Sequence, residues 1–207
     1  MLEKYKNVLV YAAHPDDLEL SCGGTVARLC KQKDTKVTLK LRSTPFSEER
    51  LEYIENASKI LGYDLFPELD ELDPRRLELQ SMRNEIKYLT SDLGTKGYDL
   101  LITHWKEDWH QEHRECYDIA RSAVRKSGCD VWYMQAVPYF TRYEQFKKNV
   151  LVSIPANSVD KKELAIEEHE NVPHDWIDLT HNIGRIDGYS IGRNYAECFM
   201  AEKIISY

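Results

Sequence analysis

The sequence predicts an α/β fold in which helices cover both faces of a mostly parallel sheet. Two near-continuous apolar runs, Asn7–Ala13 and Tyr98–Thr103, are typical of strands that are buried on both faces. These runs alternate with stretches that have helical periodicity, which is the pattern of right-handed strand-helix-strand crossovers. The chain has 207 residues, 42% of them hydrophobic, so we expect a single domain over residues 1–207.

The first part of the chain predicts a strand, a polar loop, a helix and a second strand. The loop His14–Asp17 follows the first apolar run, and Gly23 and Gly24 open the helix pattern after it. Thr35–Arg42 alternates between apolar and polar side chains and is rich in residues that favour strands. This order is that of a β-loop-α-β unit.

The later elements follow from the same signals. Ser47 or a neighbour is expected to cap a helix that runs to Leu61, where Gly62 supplies a stop signal. In chain order we then expect a helix at Arg76–Leu93, the strand Tyr98–Thr103, a helix at Glu112–Arg125, strands at Val131–Ala136 and Val150–Ile154, a helix at Lys161–His169, a strand at Trp176–Leu179 and a terminal helix at Met200–Ile205.

Composition excludes several classes of protein. The 35 acidic and 28 basic residues give a net charge of −7, which argues against a partner that is a nucleic acid. The longest apolar runs are far shorter than the roughly 20 residues of a membrane-spanning helix. No secretory signal is visible at the N-terminus, so we expect a cytoplasmic protein. The 5 cysteines form no CxxC pair, which makes a disulfide framework improbable.

Two polar clusters follow the two most apolar strands. The first is His14-Pro15-Asp16-Asp17, and the second covers His104–His113 with the sequence HWKEDWHQEH. Ligands of open α/β sheets bind at the carboxyl ends of the strands. If the two strands are neighbours in the sheet, His14, Asp17, His110 and His113 meet over one crevice.

Two imidazoles and one carboxylate suit a catalytic zinc, because three protein ligands leave a position for water. Zinc lowers the pKa of that water to about 7 and polarises a carbonyl group. The second carboxylate of the Asp16-Asp17 pair is then free to act as a general base. A structural reading stays open: Pro15 and Asp16 also favour turns, and His104 would serve equally as a core histidine bonded to backbone.

At these residues the sequence resembles the LmbE/PIG-L family of metal-dependent N-acetylglucosamine deacetylases. The resemblance is carried by Ala13-His14-Pro15-Asp16-Asp17, by Glu19 and Cys22-Gly23-Gly24-Thr25, and by Thr103-His104-x3-Asp108-x-His110-x2-His113-Arg114. Softer matches are Arg50 with Ala57, Leu61 and Gly62, the segment Lys162-x2-Ala165-x3-His169, and Tyr195-Ala196-Glu197-x-Phe199.

The resemblance implies a Rossmann-like α/β fold and a role for each matched residue. Metal ligands would be His14, Asp17 and His113, with Zn²⁺ as the cofactor and Fe²⁺ as an alternative. Asp16 would be the general base and His110 the electrostatic or acid group, while Arg50 would contact the sugar. The implied activity is hydrolysis of an N-acyl group, N-acetyl above all, by attack of zinc-bound water.

The implied substrate is an acylated amino sugar or glycoconjugate, which can be free, nucleotide-linked or lipid-linked. Two departures from the family pattern bear on this expectation. Gln111-Glu112 replaces the usual Pro-Asp between the later histidines, so either Glu112 or Asp108 would orient His110. Asn171-Val172 replaces the Ser-Gln that commonly follows the family's late histidine.

Other functions stay open at this stage. A zinc amidase that acts on a non-sugar acylated amine would need the same metal ligands. A non-catalytic sugar-binding protein with a relic site is a weaker alternative, because all the residues that hydrolysis requires are present. Trp105 and Trp109 flank the second cluster and are candidates for a sugar platform, although ordinary core aromatics explain them as well. The family often forms homo-oligomers, but the sequence shows no interface pattern.

Overall fold

The computed structural model describes residues 1–42, 47–66, 82–135 and 146–202. Within these residues, seven strands form one sheet in the order β3-β2-β1-β4-β5-β7-β6. The strands are β1 (Asn7–Ala12), β2 (Lys36–Leu41), β3 (Asp64–Leu65), β4 (Leu100–His104), β5 (Asp130–Met134), β6 (Val150–Ser153) and β7 (Ala196–Glu202).

Helices cover both faces of this sheet, which confirms the predicted fold class. They are α1 (Asp17–Cys30), α2 (Glu48–Leu61), α3 (Met82–Thr95), α4 (Gln111–Ala123), α5 (Ala156–Glu167) and α6 (His174–Ser190). Side chains of α1, α2 and α5 pack with Val8 and Val10 on one face. Those of α3 and α4 pack with Leu9 and Tyr11 on the other. Alternate residues of β1 therefore belong to two separate hydrophobic cores, one on each face of the sheet. Across the described residues, no helix has both the length and the apolar composition to cross a membrane.

The parallel part of the sheet sets the two polar clusters side by side. β1 lies between β2 and β4 and pairs in parallel with both, with Tyr11 opposite Thr103. β1 and β4 therefore end at the same level, and the chain leaves both at one edge of the sheet. The first cluster begins two residues after β1 ends, and His104 is the last residue of β4.

Two predicted elements of the C-terminal part are wrong. Trp176–Leu179 lies inside α6 and is not a strand; a short apolar run fits either period, and only the length of the element distinguishes them. Met200 belongs to β7, which pairs antiparallel with β5 and β6 and is not part of a helix. Of the predicted terminal helix, residues 203–205 lie outside the described part of the chain, as do 76–81 of the predicted third helix and Ala136.

The predicted start of the first helix needs a smaller correction. α1 begins at Asp17, but Cys22 has a non-helical φ of −144°, so a second helical segment starts at Gly23. The Glu197 carboxylate accepts the backbone N–H groups of Gly24 (2.9 Å) and Thr25 (2.6 Å) and pairs with Lys162 (2.7 Å). A buried carboxylate thus binds the N-terminal end of this segment, where the helix dipole favours negative charge.

Candidate active site

The candidate site lies where β1 and β4 end. His14 and Asp16 occupy the tight connection from β1, and Asp17 is the first residue of α1. His110 immediately precedes α4, and His113 lies in its first turn. Thus the five residues predicted to carry the chemistry converge on one edge of the sheet, although they come from segments about 90 positions apart.

Three of these side chains bring their donor atoms to a common point. His14 Nδ1 lies 3.2 Å from His113 Nε2 and 3.4 Å from Asp17 Oδ2, and His113 Nε2 lies 3.1 Å from Asp17 Oδ1. Zinc binds imidazole nitrogen and carboxylate oxygen at roughly 2.0–2.2 Å, and tetrahedral geometry then separates two ligands by about 3.3–3.5 Å. The donor spacing of this triad therefore fits a tetrahedral ion with one position left for another ligand.

His104 and His110 also lie within reach of this point. Ligand atoms of His14, His110 and His113 are within 4.8 Å of one another, and so are those of Asp17, His104 and His113. The backbone N–H of Ala13 donates to His104 Nε2 (3.0 Å), which occupies the lone pair that a metal would need. This contact fits the reading of His104 as a core histidine bonded to backbone.

In each of the two candidate imidazole ligands, the ring nitrogen that points away from the common point contacts a carboxylate. Glu112 Oε2 lies 2.5 Å from His14 Nε2, and Asp108 Oδ2 lies 3.0 Å from His113 Nδ1. Each contact turns the opposite ring nitrogen toward the common point, as carboxylates that hydrogen-bond to the histidine ligands do in zinc proteins. For His110, the sequence left Glu112 and Asp108 as alternatives. Asp108 accepts the backbone N–H of His110 (2.8 Å), while Glu112 contacts His14.

The electrostatics of the cluster favour a positive charge at its centre. Burial would raise the pKa of Asp17, but His113 and His104 hold it well below its usual value. Burial disfavours the charged form of His113, yet Asp17 and Asp108 raise its pKa to about 10. The side chains therefore hold a proton tightly between Asp17 and His113. A divalent cation can take the place of that proton.

Asp16 is set apart from the triad and faces the open side of the site. Asn171 donates from Nδ2 to Asp16 Oδ2 at 3.1 Å. Burial and the neighbouring charge of Asp17 raise the pKa of Asp16. A carboxylate with a raised pKa, next to a candidate metal-binding group of which it is not a member, is suited to accept a proton.

A cavity of about 210 Å³ opens onto these groups. Arg50, in the first turn of α2, lines it together with His14, His110 and His113. The sequence did not single out two other lining residues, Trp176 and Leu20. The sequence predicts a strand at Trp176–Leu179, so the position of Trp176 on α6 was not expected. Conversely, Trp105 is buried against Phe146 and Trp109 is exposed, and neither lines this cavity.

One of the softer sequence matches, His169, belongs to a buried polar group that includes Glu19. His169 is buried, with Nε2 3.6 Å from Glu19 Oε2, and Tyr63 donates to the other oxygen of Glu19 (2.7 Å). Burial opposes protonation of His169, but Glu19 raises its pKa. This buried group supports the segment that carries Asn171, because the N–H of Val172 donates to the carbonyl of His169 (2.9 Å).

Comparison with known families decides the affiliation of the chain. The family described as PIG-L, GlcNAc-PI de-N-acetylase, matches residues 9–124, a span that holds every predicted metal ligand. The chain belongs to this family. A relative from Escherichia coli (strain K12), the uncharacterized deacetylase YaiS, is 28% identical over 182 residues, covering 81% of this chain and 92% of that protein. The predicted resemblance is thereby confirmed.

Solved structures show that members of this fold carry more than one activity. The N,N'-diacetylchitobiose deacetylase from Pyrococcus horikoshii superposes with a TM-score of 0.75 at 22% identity, covering 98% of this chain and 85% of that one. GalB, the 4-carboxy-2-hydroxymuconate hydratase from Pseudomonas putida KT2440, superposes with a TM-score of 0.72 at 17% identity, covering 95% of each chain. At such identities the likeness establishes the fold, and the chemistry has to be argued from the site.

Proposed function

We propose that this PIG-L family protein is a zinc-dependent N-deacetylase that removes the acetyl group from an amino sugar or its conjugate. The observation that supports the proposal most directly is the triad of His14, Asp17 and His113, whose donor atoms lie 3.1–3.4 Å apart. The membership in a de-N-acetylase family gives the reaction class. Zinc fits the mixed nitrogen and oxygen donor set, and Fe²⁺ is the alternative metal.

His14, Asp17 and His113 would hold the metal, through Nδ1, a carboxylate oxygen and Nε2 respectively. When bound there, zinc lowers the pKa of water and polarises the carbonyl of the amide. Glu112 and Asp108 keep the two imidazoles turned toward the ion from the opposite side. These five carboxylate and imidazole side chains follow β1 or β4 or lie in the first turns of α1 and α4, so the site needs little rearrangement before reaction.

Asp16 is the proposed general base. It takes the proton from the attacking water, while Asn171 keeps its carboxylate directed into the cavity. The second catalytic candidate is His110, whose ring lies edge-on to that of His14 at a centroid distance of 4.5 Å. Burial and the neighbouring His14 and His113 lower the pKa of His110. We assign its neutral ring to donate a hydrogen bond to the carbonyl oxygen, and the proton that Asp16 has taken from water then passes to the leaving nitrogen.

The cavity supports an amino sugar as the acylated amine. Arg50 offers a charged donor fork for hydroxyl or anionic groups, and Trp176 offers an aromatic surface of the kind that packs on sugar rings. A volume of about 210 Å³ accommodates the acetyl group and one ring at most, so any conjugated group would extend outward. A non-sugar amide of similar shape would meet the same metal chemistry, which makes substrate choice the point to test.

The experiment pairs metal analysis with an amide panel. Protein stripped with a chelator is reloaded with Zn²⁺, Fe²⁺ or Co²⁺ and offered free, nucleotide-linked and lipid-linked N-acetylglucosamine beside non-sugar acetamides, with amine release as the readout. We expect metal-dependent release from an acetylated amino sugar. Release only from non-sugar amides would make the protein a different amidase, and sugar binding without hydrolysis in every metal form would make it a binding protein.

Asp16→Asn separates the mechanism from metal binding. The variant should keep one metal ion per chain and lose most of its turnover, because the amide group cannot accept the proton. Asp118→Asn is the matched control, since Asp118 is exposed on α4 and does not line the cavity at the triad. Full activity in Asp16→Asn would refute the assigned role.

A further inference from the structure

A second cavity lies away from the candidate active site, at the β6 end of the sheet. It has a volume of about 510 Å³ and is walled by the end of β6, the start of α5 and the C-terminal half of α6. The size falls within the roughly 300–1,000 Å³ typical of small-molecule sites. It shares no lining residue with the cavity at the metal triad.

Close packing fixes the wall that α6 contributes. A Cβ atom on Gly184 would lie 2.1 Å from the Tyr195 ring, and one on Gly188 would lie 2.5 Å from the Tyr195 backbone nitrogen. The absence of side chains at these two positions lets α6 lie directly against the segment before β7. The Tyr195 hydroxyl also donates to the carbonyl of Thr180 (3.3 Å). The cavity is therefore a built feature of the fold, with one wall that cannot shift easily.

The polar side chains of the cavity form a row along α6. His181, Arg185 and Tyr189 are spaced four residues apart, which places them on one face of the helix. Arg193 extends this row beyond the helix end, where its N–H donates to the Gly188 carbonyl (2.9 Å). Ile154, after β6, gives the cavity an apolar surface.

The lining of this cavity has more basic than acidic side chains. Among the described residues, no carboxylate lies within ion-pair distance of Arg185 or Arg193. Two further carboxylates of α5 and α6 are not lining residues and have other partners: Glu163 bonds to the lining residue His181, and Asp187 pairs with Lys148 (2.5 Å). Asp160 is the carboxylate among the lining residues, so the two guanidinium groups leave the cavity net positive in a chain of net charge −7.

We infer that this cavity is a second binding site, for a small organic anion with a planar or apolar part. A phosphate or carboxylate group would bind to Arg185 and Arg193, whose planar forks match the oxygens of either group. The apolar part would pack between Tyr189 and Ile154. The site is independent of the proposed deacetylase activity, because none of these residues contacts the metal triad.

Calorimetric titration of the intact protein with phenyl phosphate tests this inference. We expect saturable binding of one molecule per chain, weakened at least about tenfold in the double variant Arg185→Gln/Arg193→Gln, since each lost contact is a charge-assisted hydrogen bond. The control is Arg83→Gln/Arg125→Gln, which removes the same charge from exposed positions on other elements. It should bind phenyl phosphate as the wild type does.

Further titrations define the ligand class. Benzoate in place of phenyl phosphate distinguishes a carboxylate from a phosphate ligand, and binding of either supports the site when it depends on Arg185 and Arg193. Tyr189→Ser should weaken both aromatic probes more than inorganic phosphate. The inference is overturned if neither probe binds saturably, or if both double variants bind equally well, as they would if the anion occupied the metal triad. Melting curves confirm that the variants, all at exposed positions, remain folded.

Discussion

A buried carboxylate lies at the beginning of each of the two segments of α1, and the surroundings of the two carboxylates differ. Asp17 begins the first segment and faces His113 and His14, with a cavity beside it. Glu197 binds the start of the second segment, after the break at Cys22, and is closed off with Lys162. Both anions lie at helix N-terminal ends, where the backbone dipole stabilises negative charge.

The nature of the countercharge distinguishes the two. Lys162 is a fixed cation that is itself buried, and although burial opposes its charge, Glu197 raises its pKa. At Asp17 the neighbours are imidazoles, whose charge can be exchanged for that of a metal. The helix α1 therefore contacts both a permanent ion pair that holds the fold, Glu197 with Lys162, and an exchangeable one that is suited to chemistry, Asp17 with the imidazoles.

The greatest loss of activity should follow a change in the exchangeable centre, which consists of Asp17, His14 and His113. Asp17→Asn should abolish metal retention and turnover together, with a loss beyond the roughly 10- to 100-fold typical of changes outside the first ligand shell. Metal content by mass spectrometry and amine release measure the two effects. Asp118→Asn serves again as the control. Retention of metal and activity in Asp17→Asn would show that the ion binds elsewhere.

Breaking the permanent pair should instead cost stability. Glu197→Gln leaves the Lys162 ammonium buried without its counterion, so we expect the free energy of unfolding to fall by roughly 3–5 kcal/mol. Urea unfolding followed by circular dichroism measures the change. Asp64→Asn removes one partner of the exposed Lys36–Asp64 pair (3.1 Å) and should have a far smaller effect, as surface pairs generally do.

Two results at Glu197 would blur the comparison. If Glu197→Gln unfolds no more easily than Asp64→Asn, the buried pair does not hold α1 in place. If Glu197→Gln loses metal while its free energy of unfolding is unchanged, Glu197 and Asp17 do not have separate functions.

A smaller effect is expected from the carboxylate behind His14. Glu112→Gln keeps the shape of the side chain but weakens its contact with His14 Nε2, so metal affinity should fall by roughly 10- to 100-fold. Competition with a zinc chelator measures the affinity. Glu107→Gln, in the loop before α4, is the matched control. Unchanged affinity in Glu112→Gln would mean that His14 needs no partner to bind the ion.

The exchangeable centre was predictable from sequence because its parts are local. His14 through Asp17 and His104 through His113 each follow an apolar strand, and parallel strands that are neighbours end at the same edge. The parallel pairing of β1 with β4 then places the segment that carries His113 beside the one that carries Asp17. The roles of these residues stay predictions that the experiments above address.

The permanent pair was not predictable by the same means. Lys162 and Glu197 matched family segments, but nothing in their neighbourhood marks them as buried, since charged residues usually lie at the surface. Their burial depends on β7 inserting between β5 and β6, an order that chain sequence does not give. The contact between Asn171 and Asp16 could not be predicted for a related reason: the two residues lie 155 positions apart, and only the folded chain brings them together.

The smallest expected effect concerns that last contact. Asn171→Ala removes the donor to Asp16 Oδ2, and one such hydrogen bond is worth about 1 kcal/mol, or roughly fivefold in rate. We expect kcat to fall by this amount while metal content and unfolding remain as in the wild type, because the contact bears on neither carboxylate–cation pair. Asn171→Ser, which keeps a shorter donor, should recover part of the loss. A drop in metal content in Asn171→Ala would instead tie this residue to the Asp17 centre and remove the distinction between base and ligand on which the proposed mechanism depends.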